Sequence, residues 1–261
     1  MILHYDIIIS IYLIEGVKKM NSDNNTKKSA DISLNKVELL AGLGLLIMEI
    51  IAPIVYLHGL GNILVTGDAT ATANNIIASK GQFPIIICGF LVIAILDLVV
   101  AWSLYVLFKH VNKSISLLAS WFRLAYAVIL GIDLLNLFII LQLLSGASYL
   151  TSFDQDQLNT LAMLFFYGFT YGWDIGLVFF GLHLLILGYL VYKSEYFPKF
   201  LGILVSIASS GYIIDSFGKF LSPNYSISIS KYTFVGEALL IFWLLWRGVK
   251  GFKQNKAQSK K

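Results

Sequence analysis

The chain has 261 residues, of which 57% are hydrophobic and only 13% are charged. A soluble domain usually carries roughly a quarter charged residues, so this composition excludes a disordered chain, a basic nucleic-acid-binding domain and an ordinary water-soluble enzyme. The single cysteine, Cys88, excludes an internal disulfide framework and any cysteine-built metal site. The formal net charge of +4 comes from basic residues whose positions along the chain indicate topology.

Six stretches are apolar for long enough to cross a membrane as helices. A spanning helix needs about 20 mostly apolar residues, because the hydrocarbon core is roughly 30 Å thick and a helix rises about 1.5 Å per residue. The six predicted spans are Leu39–Leu57, Phe83–Phe108, Leu118–Leu144, Tyr167–Tyr192, Phe200–Leu221 and Tyr232–Gly248. Residues Leu158–Phe166 are predicted to form an interfacial lead-in to the fourth span. The sequence therefore predicts an all-α membrane protein, a six-helix transmembrane bundle.

The two ends of the chain are polar and basic. We assign residues 1–36 to an N-terminal tail, 37–250 to the transmembrane domain and 251–261 to a basic C-terminal tail. The first 19 residues begin with an apolar run too short to span a bilayer and without the basic start of a secretory signal. They are either an extension that precedes a true start at Met20, or a short interfacial helix.

The distribution of Lys and Arg predicts the orientation of the spans. Both tails and the second and fourth loops together carry fifteen of these residues, whereas the other three loops carry three. Basic residues concentrate on the cytoplasmic side of membrane proteins. Both termini are therefore predicted to be cytoplasmic, and the basic character indicates contact with anionic lipid headgroups rather than nucleic acid.

Several strings, in order along the chain, resemble one family of membrane proteins. They are GDATATANN (Gly67–Asn75), LDLVVAWSLYVLFKHVNKSISLLASWFRLAYA (Leu96–Ala127), GLVFFGLHLLILGYLVYKSEYFPKFLGIL (Gly176–Leu204), GYIIDS (Gly211–Ser216) and GEALLIFWLLWRGVK (Gly236–Lys250). Together they resemble the DUF4386 family of bacterial multi-pass membrane proteins. The resemblance implies a shared fold and a location in the bacterial plasma (inner) membrane. It implies no activity, substrate or catalytic residue.

Every predicted span contains one acidic residue: Glu49, Asp97, Asp133, Asp174, Asp215 and Glu237. A carboxylate at the bilayer centre costs roughly 2.5–3.5 kcal/mol on insertion scales, so these side chains are expected to face protein or water. Helical phase supports this expectation, because three of the acids share a face with small residues that allow close helix packing. These neighbours are Gly42, Ala52, Pro53 and Tyr56 for Glu49, Phe90, Ala94 and Ala101 for Asp97, and Ala208, Gly211 and Gly218 for Asp215.

The fourth span carries a ridge of glycines at Gly168, Gly172 and Gly176. The spacing predicts close packing against another helix. His183 lies near the face of the ridge, and Asp174 lies on the opposite side, so the two cannot form a dyad within this helix. His183 is expected either to hydrogen-bond a neighbouring helix or to act in a proton relay or as a ligand.

Two further polar residues have alternative interpretations. Arg123 either extends its guanidinium to the lipid headgroups or pairs with a membrane acid, Asp97 being the natural partner. Asp68 is predicted to cap a short outer helix that begins at Ala69. Depth also suggests an outward-facing acidic vestibule, with the alternative that its members merely reach the outer interface. Its predicted members are Asp174, Asp215 and Glu237.

No nucleotide-binding, zinc-protease or serine-hydrolase motif occurs, so the sequence predicts no cofactor, no metal site and no catalytic residue. The leading hypothesis is a non-enzymatic membrane protein that binds or translocates a small ligand, ion or proton through a pocket lined by buried acids. One alternative is a structural or regulatory module whose acids fix helix packing, and another is an intramembrane enzyme. The candidate pocket residues are Glu49, Asp97, Arg123, Asp133, Asp174, His183, Asp215 and Glu237, and the candidate packing glycines are Gly168, Gly172, Gly176 and Gly211. Beyond the lipid bilayer and such a ligand, the sequence indicates no partner and no oligomeric state.

Overall fold

A computed structural model describes residues 33–79, 81–222 and 224–258, with side chains described as far as Gly251. The predicted N-terminal tail, including residues 1–19, lies outside the described residues except at its last positions. The proposed domain boundaries therefore stay predictions, as does the cytoplasmic location of both ends. The residues from Leu34 onward form one compact unit.

Helices make up nearly all of the described chain, which contains no strand. Six helical segments are long and apolar enough to cross a membrane, so the predicted all-α, six-span fold is confirmed. The helices are α1 (Leu34–Ile63), α2 (Ala69–Ala78), α3 (Gln82–Phe108), α4 (Lys113–Leu143), α5 (Gln155–Lys193), α6 (Lys199–Leu221), α7 (Ser230–Thr233) and α8 (Val235–Gln258). The sixth span, Ser230–Gly251, combines α7 with most of α8.

Several helices begin earlier than predicted because capping residues precede their apolar parts. The side chain of Asn112 accepts a hydrogen bond from the Ile115 backbone N–H at 3.0 Å and starts α4. Asp154 forms a capping box with Gln157 and starts α5, so the predicted lead-in is one continuous helix with the fourth span. Asp68 accepts from the Ala71 N–H at 2.8 Å, which confirms its predicted role as the cap of α2.

The first span changes its winding in the middle. It is α-helical to Pro53, π-helical over Ile54–Leu60, and α-helical again to Ile63. Proline has no backbone N–H, so Pro53 cannot donate the usual hydrogen bond to the carbonyl of Glu49, four residues earlier. Short π-helical turns of this kind are frequent at functional sites.

The six spans follow one another in a closed ring. Packing contacts join α1 to α3, α3 to α4, α4 to α5, α5 to α6, and α6 to α8, and α8 packs back against α1. Large apolar side chains are exposed on the outside of the ring, as expected for a surface that contacts acyl chains. Aromatic rings lie inside: Trp173 of α5 contacts Tyr56 at 5.5 Å and Phe90 at 5.4 Å between ring centroids.

A candidate site in the middle of the bundle

The acidic residues of the spans are not all buried. Five have little accessible surface, and helical phase predicts this for two of them, Asp97 and Asp215; the five are Asp97, Asp133, Asp174, Asp215 and Glu237. Glu49 is exposed, so the prediction that every acid faces the interior is wrong for this residue. Of the small residues on its face, Gly42 packs against Leu245 of α8, whereas Pro53 is exposed. The face of Glu49 therefore lies at the margin of the contact between α1 and α8.

Arg123 of α4 forms an ion pair with Asp97 of α3. Arg123 Nη2 lies 2.6 Å from Asp97 Oδ1, and the two side chains are only 3% and 1% exposed. The Arg123 guanidinium also lies over the ring of Phe180, at 5.4 Å from its centroid. Of the two interpretations of Arg123, the structure supports pairing and not extension to the lipid headgroups.

His183 of α5 connects this ion pair to the backbone of α4. Its Nδ1 lies 2.9 Å from the carbonyl oxygen of Ala119, and its Nε2 lies 3.2 Å from Arg123 Nη1. A carbonyl oxygen only accepts and a guanidinium only donates, so Nδ1 must donate and Nε2 must accept. His183 is thus a neutral imidazole with both nitrogens occupied. This arrangement matches the predicted contact with a neighbouring helix and gives no support to a proton relay at this residue.

Two further acids lie close to the same ion pair. Glu237 of α8 is near enough to Glu49 and Arg123 for their charges to interact, and Tyr212 of α6 is another of its neighbours. Tyr126 of α4 is near enough to interact electrostatically with the acids Glu49, Asp97 and Glu237 and with Arg123. We call these seven residues the central cluster: Glu49, Asp97, Arg123, Tyr126, His183, Tyr212 and Glu237.

The acids of α1 and α8 lie at one depth in the bundle. At the end of the bundle where α1 begins, Arg247 Nε of α8 lies 2.9 Å from Glu38 Oε1 of α1. Glu49 follows Glu38 by eleven residues along α1, and Glu237 precedes Arg247 by ten along the antiparallel α8. Both acids therefore lie about 15–17 Å from this ion pair, close to half the thickness of a hydrocarbon core.

Buried polar atoms of the central cluster have no hydrogen-bond partner among the described residues. They are Asp97 Oδ2, Arg123 Nε and Glu237 Oε1. Buried polar groups are nearly always paired in native proteins, so each exception requires an explanation such as a bound water, ion or ligand. The central cluster also sets three carboxyl groups against one guanidinium, which leaves it with an excess of acidic groups.

The acids near the other end of the bundle have protein partners. Asp174 Oδ1 of α5 lies 2.5 Å from Lys219 Nζ of α6. The Asp215 carboxylate accepts hydrogen bonds from the Tyr225 hydroxyl at 2.7 Å and from the backbone N–H groups of Ile229 at 2.9 Å and Ser230 at 2.8 Å. We call this set the outer group: Asp174, Asp215, Lys219 and Tyr225.

The structure gives the three acids of the predicted vestibule different partners. Asp174 and Asp215 lie close enough to interact electrostatically, whereas Glu237 belongs to the central cluster with Glu49 and Arg123. The predicted depth of Glu237 is only approximate, because α7 and α8 form one interrupted span. These acids therefore have different partners, and a single vestibule stays a prediction.

Asp133 of α4 belongs to neither group. Its Oδ1 accepts a hydrogen bond from the Asn136 amide at 2.8 Å, and its carboxyl group packs directly on Gly172 of α5. A side chain at position 172 would overlap this carboxyl group, so the absence of a Cβ there allows the two helices to approach.

Comparison with known proteins relates this arrangement to one family. The family model described as a domain of unknown function, DUF4386, matches residues 40–248, which include the whole central cluster. The protein belongs to the DUF4386 family. An uncharacterised protein from Archaeoglobus fulgidus is 41% identical over 164 residues, which are 63% of this chain and 84% of that protein. No solved structure matches the chain.

Three of the four predicted packing glycines of this DUF4386 chain face α4. Gly168 packs on Asn136, Gly172 on Asp133, and Gly176 on Tyr126 with a 3.2 Å approach to a built Cβ. The fourth, Gly211 of α6, packs on Ser230 and Thr233 of α7. Other close approaches were not predicted, among them Gly188 of α5 against Gly202 of α6.

Sequence analysis missed Tyr126 and Tyr212 of the central cluster, Lys219 and Tyr225 of the outer group, and the ion pair of Glu38 with Arg247. Tyr212 follows Gly211 on α6. The acid of that helix, Asp215, is predicted to belong to the vestibule, so the sequence draws no attention to Tyr212. Lys219 is one of the loop cations in the orientation count although it lies within the predicted fifth span, and its pairing with Asp174 is not predicted. A signal for Glu38 did exist, because it directly precedes the predicted first span and a buried carboxyl group requires a partner.

Two cavities are described, and neither is lined by the central cluster. One, of about 350 Å³, lies at the end of the bundle where α1 begins and is lined by Asn35, Trp243, Trp246, Arg247, Lys250 and Gly251. The other, of about 280 Å³, is lined by Ile76, Ile77, Leu141, Leu144 and Ser145. Among the described residues, no three His, Cys, Asp or Glu side chains converge as metal ligands.

Proposed function

We propose that this DUF4386 protein binds a proton or a small monovalent cation at the central cluster and translocates it. The observation that carries the proposal is the imbalance of charge at mid-membrane depth: Glu49, Asp97 and Glu237 against Arg123. Arg123 is already paired with Asp97, and His183 contributes no charge. Unbalanced carboxylates in a low-dielectric interior are costly, so they take up protons or a cation.

Access to the central cluster is supported by the positions of its two outermost acids. Glu49 is exposed at the margin between α1 and α8, whereas Glu237 is only 7% exposed. Glu49 and Glu237 are near enough for their charges to interact, which supports transfer of a cation or proton from one to the other. Pro53 also frees the Glu49 carbonyl oxygen from its usual helical bond. Carbonyl and carboxylate oxygens are the ligands that small hard cations prefer.

The proposal includes the cellular setting that the sequence predicts. The protein would lie in the plasma membrane of a bacterium with both termini in the cytoplasm, which the distribution of Lys and Arg supports. Its action would be non-enzymatic, and the charge imbalance of the central cluster explains it without a reaction. The enzymatic alternative has no comparable supporting observation among the described residues.

Transport by the purified chain in liposomes tests the proposal. A potassium diffusion potential, negative inside, drives protons inward, and an enclosed pH dye reports their entry. A parallel experiment uses a sodium gradient as the driving force and an enclosed sodium-sensitive dye as the reporter. We expect flux of one of these ions in the wild type and background flux, equal to that of empty liposomes, in Glu237→Gln and Glu49→Gln.

Asp156→Asn provides the matched control, because Asp156 is exposed in the first turn of α5 and lies outside the central cluster. It should retain wild-type flux. Background flux of both ions in the wild type would contradict the proposal. Wild-type flux in both glutamine variants would contradict it equally.

A second candidate function is a structural or regulatory membrane module. It is favoured by Asp133 and by the outer group, in which the acids bond to protein partners. Under this alternative, Glu237→Gln alters the melting temperature but the wild type carries no ion flux. The liposome experiment therefore separates the two functions.

A further inference from the structure

The cavity of about 350 Å³ between the beginning of α1 and the end of α8 lies far from the central cluster. Ligand sites commonly occupy about 300–1,000 Å³. Arg247 lines the cavity and lies near the end of the sixth span, Ser230–Gly251. The cavity therefore lies where the hydrocarbon core meets the lipid headgroups.

The cavity is lined mainly by hydrogen-bond donors. Trp243 Nε1 is a buried indole N–H without a hydrogen-bond partner among the described residues. The Lys250 ammonium lies over the ring of Trp246, at 5.0 Å from its centroid. Asn35 adds a side-chain amide. An anion that accepts from the indole and the ammonium would provide the partner that Trp243 lacks.

The charges of the lining also favour an anion. Arg247 is balanced by Glu38, at 2.9 Å, and donates to the backbone carbonyl of Tyr196. Lys250 forms no ion pair with any described side chain, so it leaves one positive charge unmatched at the cavity. An ammonium group is a common ligand of phosphate oxygens.

We propose that this cavity binds a phosphate-bearing anion through Lys250, Trp243 and Asn35. A phosphate has oxygens on all sides, so it can accept from an ammonium, an indole and an amide at once. Two sources share this chemistry: the headgroup of an anionic phospholipid in the same membrane leaflet, and a soluble phosphate compound. Basic pockets between membrane helices at this depth are suited to lipid headgroups.

Thermal unfolding of the purified full chain in a neutral detergent tests the site. The probes are a short-chain phosphatidylglycerol, a short-chain phosphatidylcholine and inorganic phosphate, each titrated separately. We expect phosphatidylglycerol or inorganic phosphate to raise the melting temperature in a saturable manner. The rise should be lost in Lys250→Gln and in Trp243→Phe, which keeps the aromatic ring and removes the N–H donor.

Two matched variants control for general effects of charge and of tryptophan. Lys193→Gln removes an exposed lysine that lies over Tyr189 at the same end of the bundle, and Trp121→Phe removes an exposed tryptophan. Both should keep the full response. Saturation by phosphatidylglycerol alone identifies the lipid as the source, and saturation by inorganic phosphate alone identifies a soluble compound.

Three results would overturn the proposal: no saturable response to any probe, an equal response in Lys250→Gln, or an equal loss in Lys193→Gln. A response to phosphatidylcholine equal to that for phosphatidylglycerol would also overturn it, because a zwitterionic headgroup does not use the unmatched charge. None of these substitutions alters a residue of the central cluster, so this test is independent of ion transport.

Discussion

The central cluster and the outer group contain the same kinds of residues. They differ in whether the buried polar atoms of those residues have hydrogen-bond partners. In the outer group, Asp174 has Lys219, and Asp215 receives three hydrogen bonds. In the central cluster, Arg123 pairs with Asp97 while buried oxygens of Asp97 and Glu237 have no partner among the described residues. The outer group is typical of a structural element, and the central cluster is typical of a site that lacks its ligand.

The comparison shows why an acid inside a membrane protein is not by itself evidence of a pathway. Asp215 joins the end of α6 to the beginning of α7, since Ile229 and Ser230 donate their backbone N–H groups to its carboxylate. Such a carboxylate satisfies helix-terminal donors and is stabilised by them. Glu237 has no equivalent set of donors, so its energetic cost must be met in another way.

The largest effect is expected in the central cluster. Replacement Arg123→Met removes the partner of the buried Asp97 and one donor to His183. Loss of one partner from a buried ion pair costs roughly 3–5 kcal/mol, because the remaining charge is uncompensated. Unfolding of the detergent-solubilised protein by a graded denaturing detergent measures this change in free energy.

The double variant Arg123→Met with Asp97→Asn is the appropriate control. It removes both charges together, so it should be more stable than Arg123→Met alone. Equal stability of the single and double variants would show that the two side chains are not coupled, contrary to their 2.6 Å separation.

A smaller loss is expected in the outer group from Asp215→Asn. The amide keeps one acceptor oxygen but loses the negative charge that strengthens three hydrogen bonds. Hydrogen bonds to charged groups contribute roughly 1.5–3 kcal/mol each and neutral ones about 1, so we expect a loss of about 2 kcal/mol. Limited proteolysis between α6 and α7 should accelerate in parallel. Unchanged cleavage would indicate that Asp215 does not anchor this connection.

The sequence predicted the fold well because every membrane-spanning helix must be apolar over a length that crosses the hydrocarbon core. Six apolar runs of sufficient length became six spans, and the phase of Asp97 among Ala94 and Ala101 predicted its burial correctly. Helix ends were less accurate, since Asn112 and Asp154 begin helices well before the apolar residues. Local hydrogen bonds, and not hydrophobicity, determine those positions.

The site was harder to predict because it depends on which helices are neighbours. Phase within one helix cannot show that α8 returns to pack on α1, which is what brings Glu237 near Glu49. It also cannot show that Lys219 turns toward Asp174. The pairing of Arg123 with Asp97 is predictable as an alternative, because the two residues belong to adjacent spans, where proximity is the simplest expectation.

A modest effect is expected from Lys219→Gln. Lys219 is 39% exposed, and ion pairs with an exposed partner contribute only about 0–1 kcal/mol because solvent screens them. Unfolding by the same graded detergent should show a loss in this range, far below that of Arg123→Met. A loss as large as that of Arg123→Met would show that this ion pair of the outer group contributes as much to stability as the buried pair of the central cluster.

The smallest effect concerns Tyr225, which lies in the connection between α6 and α7. Its hydroxyl donates to Asp215, and ionisation would both lose this bond and place two negative charges together, so the pKa of Tyr225 is raised above its ordinary value. The contribution of this bond to stability is thus fully present below the ordinary tyrosine pKa of about 10 and is lost as pH rises through the raised value. The difference in ultraviolet absorbance between wild type and Tyr225→Phe, followed against pH, isolates the titration of the Tyr225 phenol.

In Asp215→Asn this titration should move to lower pH, because the neutral amide no longer opposes the phenolate. A titration at the same pH in both proteins would show that Asp215 does not hold Tyr225, and the outer group would then lose one of its defining contacts.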